Sequence, residues 1–167
     1  MIIIVMGVAG AGKTAVGRAL ATRLGGEYLE GDAYHPSSNI EKMRRGIALS
    51  DRDRADWLTN LSQEIAQRKE VNTSMPTVVS CSALKKRYRD QLRYADPDLQ
   101  LVYLTGSRDL LTQRLARRQY HFMPPQLLRS QLATLEPPQA DESPIVVDVA
   151  SSVDDIVDYV CSELRDR

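Results

Sequence analysis

The chain is short of several things, and each shortage removes a class of explanation. It has two cysteines, Cys81 and Cys161, in 167 residues. Neither has a second Cys or His at ligand spacing, so they form neither a disulfide framework nor a metal site. They read as buried, reduced thiols. There is no excess of charge: Lys plus Arg and Asp plus Glu number 22 each. Without a global field, neither nucleic acid nor an acidic membrane is expected as a partner. No apolar run approaches the roughly 20 residues of a membrane span. No basic leader precedes the first apolar run, and a cytoplasmic protein is expected. Phe and Trp occur once each, which leaves few flat surfaces for stacking a nucleotide acceptor. No repeat or low-complexity segment is present. The remaining composition, 43% hydrophobic and 26% charged, is that of an ordinary globular chain. Its length suits one domain over residues 1–167 with a core of its own.

What is present centres on Gly7-Val8-Ala9-Gly10-Ala11-Gly12-Lys13-Thr14, a match to the phosphate-loop pattern Gly-x4-Gly-Lys-Thr. The apolar run Met1-Ile2-Ile3-Ile4-Val5-Met6 before it reads as a buried parallel strand. Val16, Leu20 and Leu24 after it read as one face of a helix that begins near Ala15. Glycines let the backbone curl its N–H groups against phosphate oxygens, and the helix N-terminus adds partial positive charge. Loop residues from Gly7 to Ala15 are therefore expected to hold a nucleoside triphosphate. Lys13 would reach the β- and γ-phosphates, and the Thr14 hydroxyl would face Mg²⁺.

The rest of the chain alternates strand and helix. Gly25-Gly26 stops the first helix. Glu27–Glu30, Thr77–Cys81, Leu99–Leu104 and Ile145–Val149 read as four further strands. An α/β fold with a parallel five-stranded sheet, helices on both faces, is expected. Ligands of such sheets bind beyond the carboxyl ends of the strands, which brings Asp32 near the phosphate loop. Asp32 can accept a substrate hydroxyl proton, orient that hydroxyl or hold magnesium through water; as a plain turn residue it would bond its own backbone. Residues 37–49 are polar and basic, and Arg44 and Arg45 suit a solvated face. Ser50-Asp51-Arg52-Asp53 reads as a capping box for a helix with Trp57, Leu58, Leu61 and Ile65 inward. Ser82 reads as the N-cap of the next helix, with Lys85 and Arg89 on one face and Lys85 as an anion anchor. Arg114 and Arg118 also lie four apart and form either a phosphate-directed pair or a surface pair. His121 lies in a proline-bounded helical flap, as a substrate contact or a structural residue. Ser152 and Asp155 cap the last helix. Asp148 ends a strand as a magnesium-binding aspartate would, but far along the chain from the loop. With it set aside, Asp32 is the best metal-side carboxylate.

Three classes use such a loop. The Asn-Lys-x-Asp tetrapeptide of a GTPase and the strand-terminal Asp-Glu pair of a motor ATPase are both missing. A small kinase needs an acceptor site between the second and third strands and an arginine-bearing flap, which residues 32–60 and 114–135 supply. A closing flap keeps water from the phosphoryl group. A kinase for another hydroxy acid such as shikimate, and a non-catalytic nucleotide-binding module, remain as alternatives.

Gly31-Asp32-x-x-His35-Pro36-x-x-Asn39-x-x-Lys42-Met43, Cys81-Ser82-Ala83-Leu84-Lys85 and His121-Phe122-Met123-Pro124-Pro125 resemble the acceptor, third-strand and flap segments of gluconate kinases. The likeness covers nearly the whole chain. It implies the nucleoside-monophosphate-kinase type of fold, with an acceptor segment at about 32–70 and a lid at about 118–136. It implies transfer of the ATP γ-phosphoryl group to the 6-hydroxyl of D-gluconate with Mg²⁺, and a possible homodimer. Carried over, Lys13, Asp32 and Arg118 are catalytic, Arg114 and Arg118 meet the ATP phosphates, and Thr14 and Asp32 face the metal. Asp32, His35, Arg45, Ser82, Lys85, Arg89 and His121 are implied around the sugar acid. Ala9 and Ala11 stand where the family often has serine, and Tyr120 where it often has glycine.

Overall fold

Ile2–Met6 offers no polar side chain, and the strand it forms, β1, is buried at every position. In the computed structural model, which describes residues 1–71, 74–117 and 126–167, it is joined by β2 (Glu27–Glu30), β3 (Thr77–Cys81), β4 (Gln100–Thr105) and β5 (Ile145–Asp148). The sheet order is β2-β3-β1-β4-β5, and every pairing is parallel. The expected five-stranded parallel sheet is present.

Alternation along β1 divides the core. Ile3 and Val5 pack with Val16, Leu20, Ile156 and Val160, under α1 (Lys13–Leu24) and α7 (Val153–Arg165). Ile2, Ile4 and Met6 pack with Trp57, Leu61, Ile65 and Leu92, under α3 (Asp51–Val71) and α4 (Lys86–Ala95). Helix α5 (Arg108–Ala116) adds Leu111 and Leu115 to the first layer. Both cysteines are buried and free, and burial pushes the Cys81 thiol up to about 12. No helix among the described residues is long and apolar enough to cross a membrane.

Local signals set several boundaries. Gly25 adopts φ 63° and its N–H closes α1 on Ala21 and Thr22. The Asp53 N–H donates to Ser50 Oγ at 3.2 Å, and Asp53 Oδ2 accepts from the Ser50 N–H at 2.9 Å, a reciprocal cap on α3. Ser152 caps α7 through the Asp155 N–H.

One element went unread, and one expectation needs correction. Residues 37–49 contain a helix, α2 (Ser37–Arg44), which the polar sequence conceals because one of its two buried residues is the polar Asn39 and only Ile40 and Met43 are apolar and face inward. Together with Leu49 and Leu127 these residues form a small third core against α6 (Gln126–Thr134). Ser82 is not an N-cap: α4 starts at Lys86 with Lys85 in the capping position. Ala83 adopts φ 42° and delays the helix.

Candidate active site

The sheet register builds the site. Glu30 stands opposite Ser80 on β3, and Met6 stands opposite Cys81. The ends of β1, β2 and β3 therefore finish level, and the segments leaving them open into one crevice at the point where the strand order reverses.

The loop after β1 needs glycine at Gly10 and Gly12, which adopt φ 85° and 90°. A Cβ on Gly10 would also lie 2.8 Å from the Leu111 carbonyl oxygen. Lys13 curls back, its Nζ donating to Val8 O at 3.2 Å. Arg114 lies beside Gly12, with Nη2 donating to Val149 O at 2.6 Å. Ala15 is exposed on the first turn of α1. Helix α6 reaches over the loop, and the Ala9 N–H donates to Gln131 Oε1 at 2.6 Å.

Two carboxylates follow β2. Glu30 accepts from Thr14 Oγ1 at 2.9 Å and from Tyr28 Oη at 2.7 Å, and also from Ser80 Oγ. Burial pushes its carboxyl up, but hydrogen bonds from Ser80, Tyr28 and Thr14 and the charge of Lys13 outweigh it, and Glu30 is held below the ordinary range. It is an anion fixed against the phosphate loop. Asp32 lies in the tight turn Gly31–Tyr34. Burial raises its pKa, Lys13 opposes the rise and Glu30 adds to it. Two neighbouring carboxylates thus differ in proton affinity, the condition for dividing anchoring from proton transfer.

His35 completes the turn. Its ring stacks on Trp57 at 4.4 Å and 15°, and Trp57 Nε1 donates to Gly31 O at 2.7 Å. Trp57 is fully buried core, yet it also sets the base of this turn. His35 Nε2 lies 4.0 Å from Asp32 Oδ1.

Lys13, Thr14, Glu30, Asp32, His35 and Ser82 line one cleft with Arg54 from α3 and Ser130, Gln131 and Thr134 from α6. Other residues expected at the site lie elsewhere. Arg89 is not a pocket residue: it is 2% exposed, its guanidinium is forked onto Glu142 and it donates to Ala83 O. Lys85 is outside the cleft lining and donates to both Asp51 oxygens at 3.0 and 3.1 Å. Lys85 and Arg89 do not share a direction, because the helix begins only after Lys85. Arg45 is exposed, outside the lining. Arg118, Tyr120 and His121 lie outside the described residues, as does the start of the expected lid.

Sequence reasoning missed Glu30, Arg54 and Gln131 as site residues. A search for a strand-terminal Asp passes over Glu30, although its place at the last position of β2 was a usable signal. Arg54 follows the capping box by one residue and resembles a surface helix residue. Its guanidinium instead donates to Leu49 O and lies 5.7 Å from the Tyr88 ring centre. Asp148 ends β5, and its Oδ1 accepts from the Ala150 N–H at 2.8 Å.

The donor set fits a magnesium nucleotide. Thr14 and Glu30 present hard oxygens together at the phosphate loop. No cluster of three or more His, Cys, Asp or Glu able to hold a metal occurs among the described residues.

Residues 2–138 match the family described as AAA domain. The chain is 49% identical over 144 residues to a gluconokinase of Gluconobacter oxydans (strain 621H), covering 86% of this chain and 79% of that protein. It is 41% identical to a probable gluconokinase of Mus musculus, covering 98% and 97%. The crystal structure of a gluconokinase from Sinorhizobium meliloti 1021 superposes with a TM-score of 0.83 at 46% identity, over 94% of this chain and 87% of that one. The shikimate kinase of Bacteroides thetaiotaomicron shares the fold alone, with a TM-score of 0.66 at 16% identity over 99% and 98%.

Proposed function

Because the chain belongs to the gluconokinase family of phosphate-loop kinases, we propose that it transfers the γ-phosphoryl group of ATP to the 6-hydroxyl of D-gluconate, giving 6-phospho-D-gluconate and ADP. The observation that carries the reading is one shared cleft: Lys13 and Thr14 open into the same space as Asp32, His35 and Arg54.

Each group has a task in that reaction. The loop amides and Lys13 hold the phosphates and take up charge as it moves toward the leaving oxygen. Thr14 and Glu30 would hold Mg²⁺, which would supply charge neutralisation to the phosphates when bound. Asp32 takes the proton of the 6-hydroxyl as that oxygen bonds to the γ-phosphorus and the bond to the β-bridging oxygen breaks. Its raised proton affinity suits this better than the firmly anionic Glu30. Arg54 meets the sugar-acid carboxylate, since Lys85 and Arg89 are committed to Asp51 and Glu142. Ser82, Ser130 and Thr134 offer hydroxyls to a polyol.

In this reading residues 32–70 are the acceptor segment and 118–136 the lid. The small apolar core of Met43, Leu49 and Leu127 supports this division, because the two segments touch there. The free thiols of Cys81 and Cys161 suit the reducing cytoplasm.

ADP release with Mg·ATP, measured against gluconate, shikimate, glucose, a nucleoside monophosphate and no acceptor, tests the proposal. Stimulation by gluconate alone is expected. Stimulation by another acceptor instead would overturn the substrate, and ATP binding without any stimulation would overturn the kinase.

A further inference from the structure

The turn that carries Asp32 is tied to a buried amide that phosphate-loop chemistry does not use. Asn39, on α2, is 2% exposed. Its Nδ2 lies 2.7 Å from the backbone oxygen of Asp53 and 3.2 Å from His35 Nδ1. A carbonyl oxygen only accepts, so the first contact fixes which end of the Asn39 amide carries hydrogens. The remaining Nδ2 hydrogen then points at His35 Nδ1, which must accept. A neutral imidazole with Nδ1 accepting carries its proton on Nε2.

We propose that Asn39 is a positioning residue that holds His35 as the Nε2–H tautomer, and that His35 and Asp32 together form an oriented donor–acceptor pair for one substrate hydroxyl. The 4.0 Å between His35 Nε2 and Asp32 Oδ1 is too long for a direct hydrogen bond. Two hydrogen bonds of about 2.8 Å each reach across it through one oxygen. That oxygen accepts from Nε2–H and donates its own proton to Asp32, so its lone pair and its proton are both directed. Such alignment is what converts a nearby carboxylate into an effective base.

The surroundings keep the ring neutral. Burial lowers the His35 pKa to about 4, and the Arg54 charge adds to the lowering. Asp32 faces Nε2. The Asp53 carboxylate is turned away to Lys42 and Ser50, so only its carbonyl meets Asn39. Trp57 stacks on the ring and sets its plane.

The hydroxyl part of the proposal rests on the kinase reading, whereas the tautomer does not. The first test is therefore the ¹⁵N–¹H long-range spectrum of the full chain without ligands. Only two histidines are present, and a His35→Gln sample assigns the pair. An Nε2–H signal for His35 is expected, and an Nδ1–H signal overturns the proposal. Asn39→Asp, if folded, is expected to move the proton to Nδ1 by supplying an acceptor there.

Kinetics provide the second test. Glutamine places an N–H where Nε2 lies, and asparagine places one where Nδ1 lies. His35→Gln is expected to stay within about tenfold of wild type in kcat/KM for gluconate, and His35→Asn to fall at least about tenfold further. Equal loss in the two folded variants would reduce His35 to a stacking role and overturn the pair. A wild-type protein without gluconate-dependent ADP release would overturn the kinase reading, and the tautomer would still be decided by the spectrum.

Discussion

Arg89→Met separates a pocket cation from a structural one. Arg89 and Glu142 are 2% and 3% exposed. Nη2 donates to Glu142 Oε1 at 2.8 Å, Nε donates to Oε2, and Nη1 donates to Ala83 O at 3.0 Å. Removing the guanidinium leaves Glu142 buried, with the Gln139 N–H at 3.2 Å as a backbone donor. Breaking such a pair costs about 3–5 kcal/mol. In a chain of this size that is a fall of roughly 6–20 °C in melting temperature. Replacing both partners with apolar groups is often neutral, so Arg89→Met with Glu142→Met should regain most of the loss. Urea and thermal melts of the four proteins give the coupling directly. The pH dependence has a definite sign. Burial pushes the Glu142 carboxyl up, but hydrogen bonds from Arg89 and Gln139 and the Arg89 charge outweigh it, and its pKa falls below the ordinary 4.5. The stabilisation is complete above that ordinary value and is lost as pH falls through the lower folded value. The gap between wild type and Arg89→Met should accordingly narrow in acid. A variant that melted like wild type while its KM for gluconate rose steeply would refute this reasoning and return Arg89 to the pocket.

Three further outcomes are expected. Lys13→Ala should lose at least about 10²-fold in turnover with an unchanged melting temperature, and normal turnover would remove the phosphate-loop assignment. Asp32→Asn should lower kcat by about 10²–10⁴-fold while raising thermal stability, because burial penalises the ionised carboxylate and its pKa lies above the ordinary 3.8. Wild-type turnover should fall with decreasing pH through that raised pKa; a variant altered only in ATP affinity would contradict the role of base. Arg54→Met should weaken gluconate by about 10–100-fold in KM, the loss of a hydrogen bond to a charged group. An unchanged KM would place the carboxylate elsewhere.

Much of the architecture was legible because it rests on short-range chemistry. The apolar run before Gly7, the glycines of the loop, the Gly25 stop and the caps at Ser50 and Ser152 each act within a few residues. The strand ends moved by at most one residue, as with Gln100–Thr105. Helix α2 escaped notice because two apolar residues in eight do not make a readable stripe and the third inward residue, Asn39, is polar.

Other features were decided only when distant segments met. Glu30 and Asp32 are two residues apart in sequence, and either could have faced Thr14. The pairing of Glu30 with Ser80 put Glu30 there and left Asp32 to the cleft. Lys85, Arg89 and Arg54 carry the same charge on neighbouring helical stretches. Asp51, 34 positions from Lys85, and Glu142, 53 positions from Arg89, engage two of them. Arg54 is the one that lines the cleft. The sequence by itself determined which residues could bind phosphate, cap a helix or enter the core, since those preferences belong to each residue and its neighbours. The tertiary structure decided which charges pair and which meet a substrate, because sheet order and register bring together residues that share no local pattern.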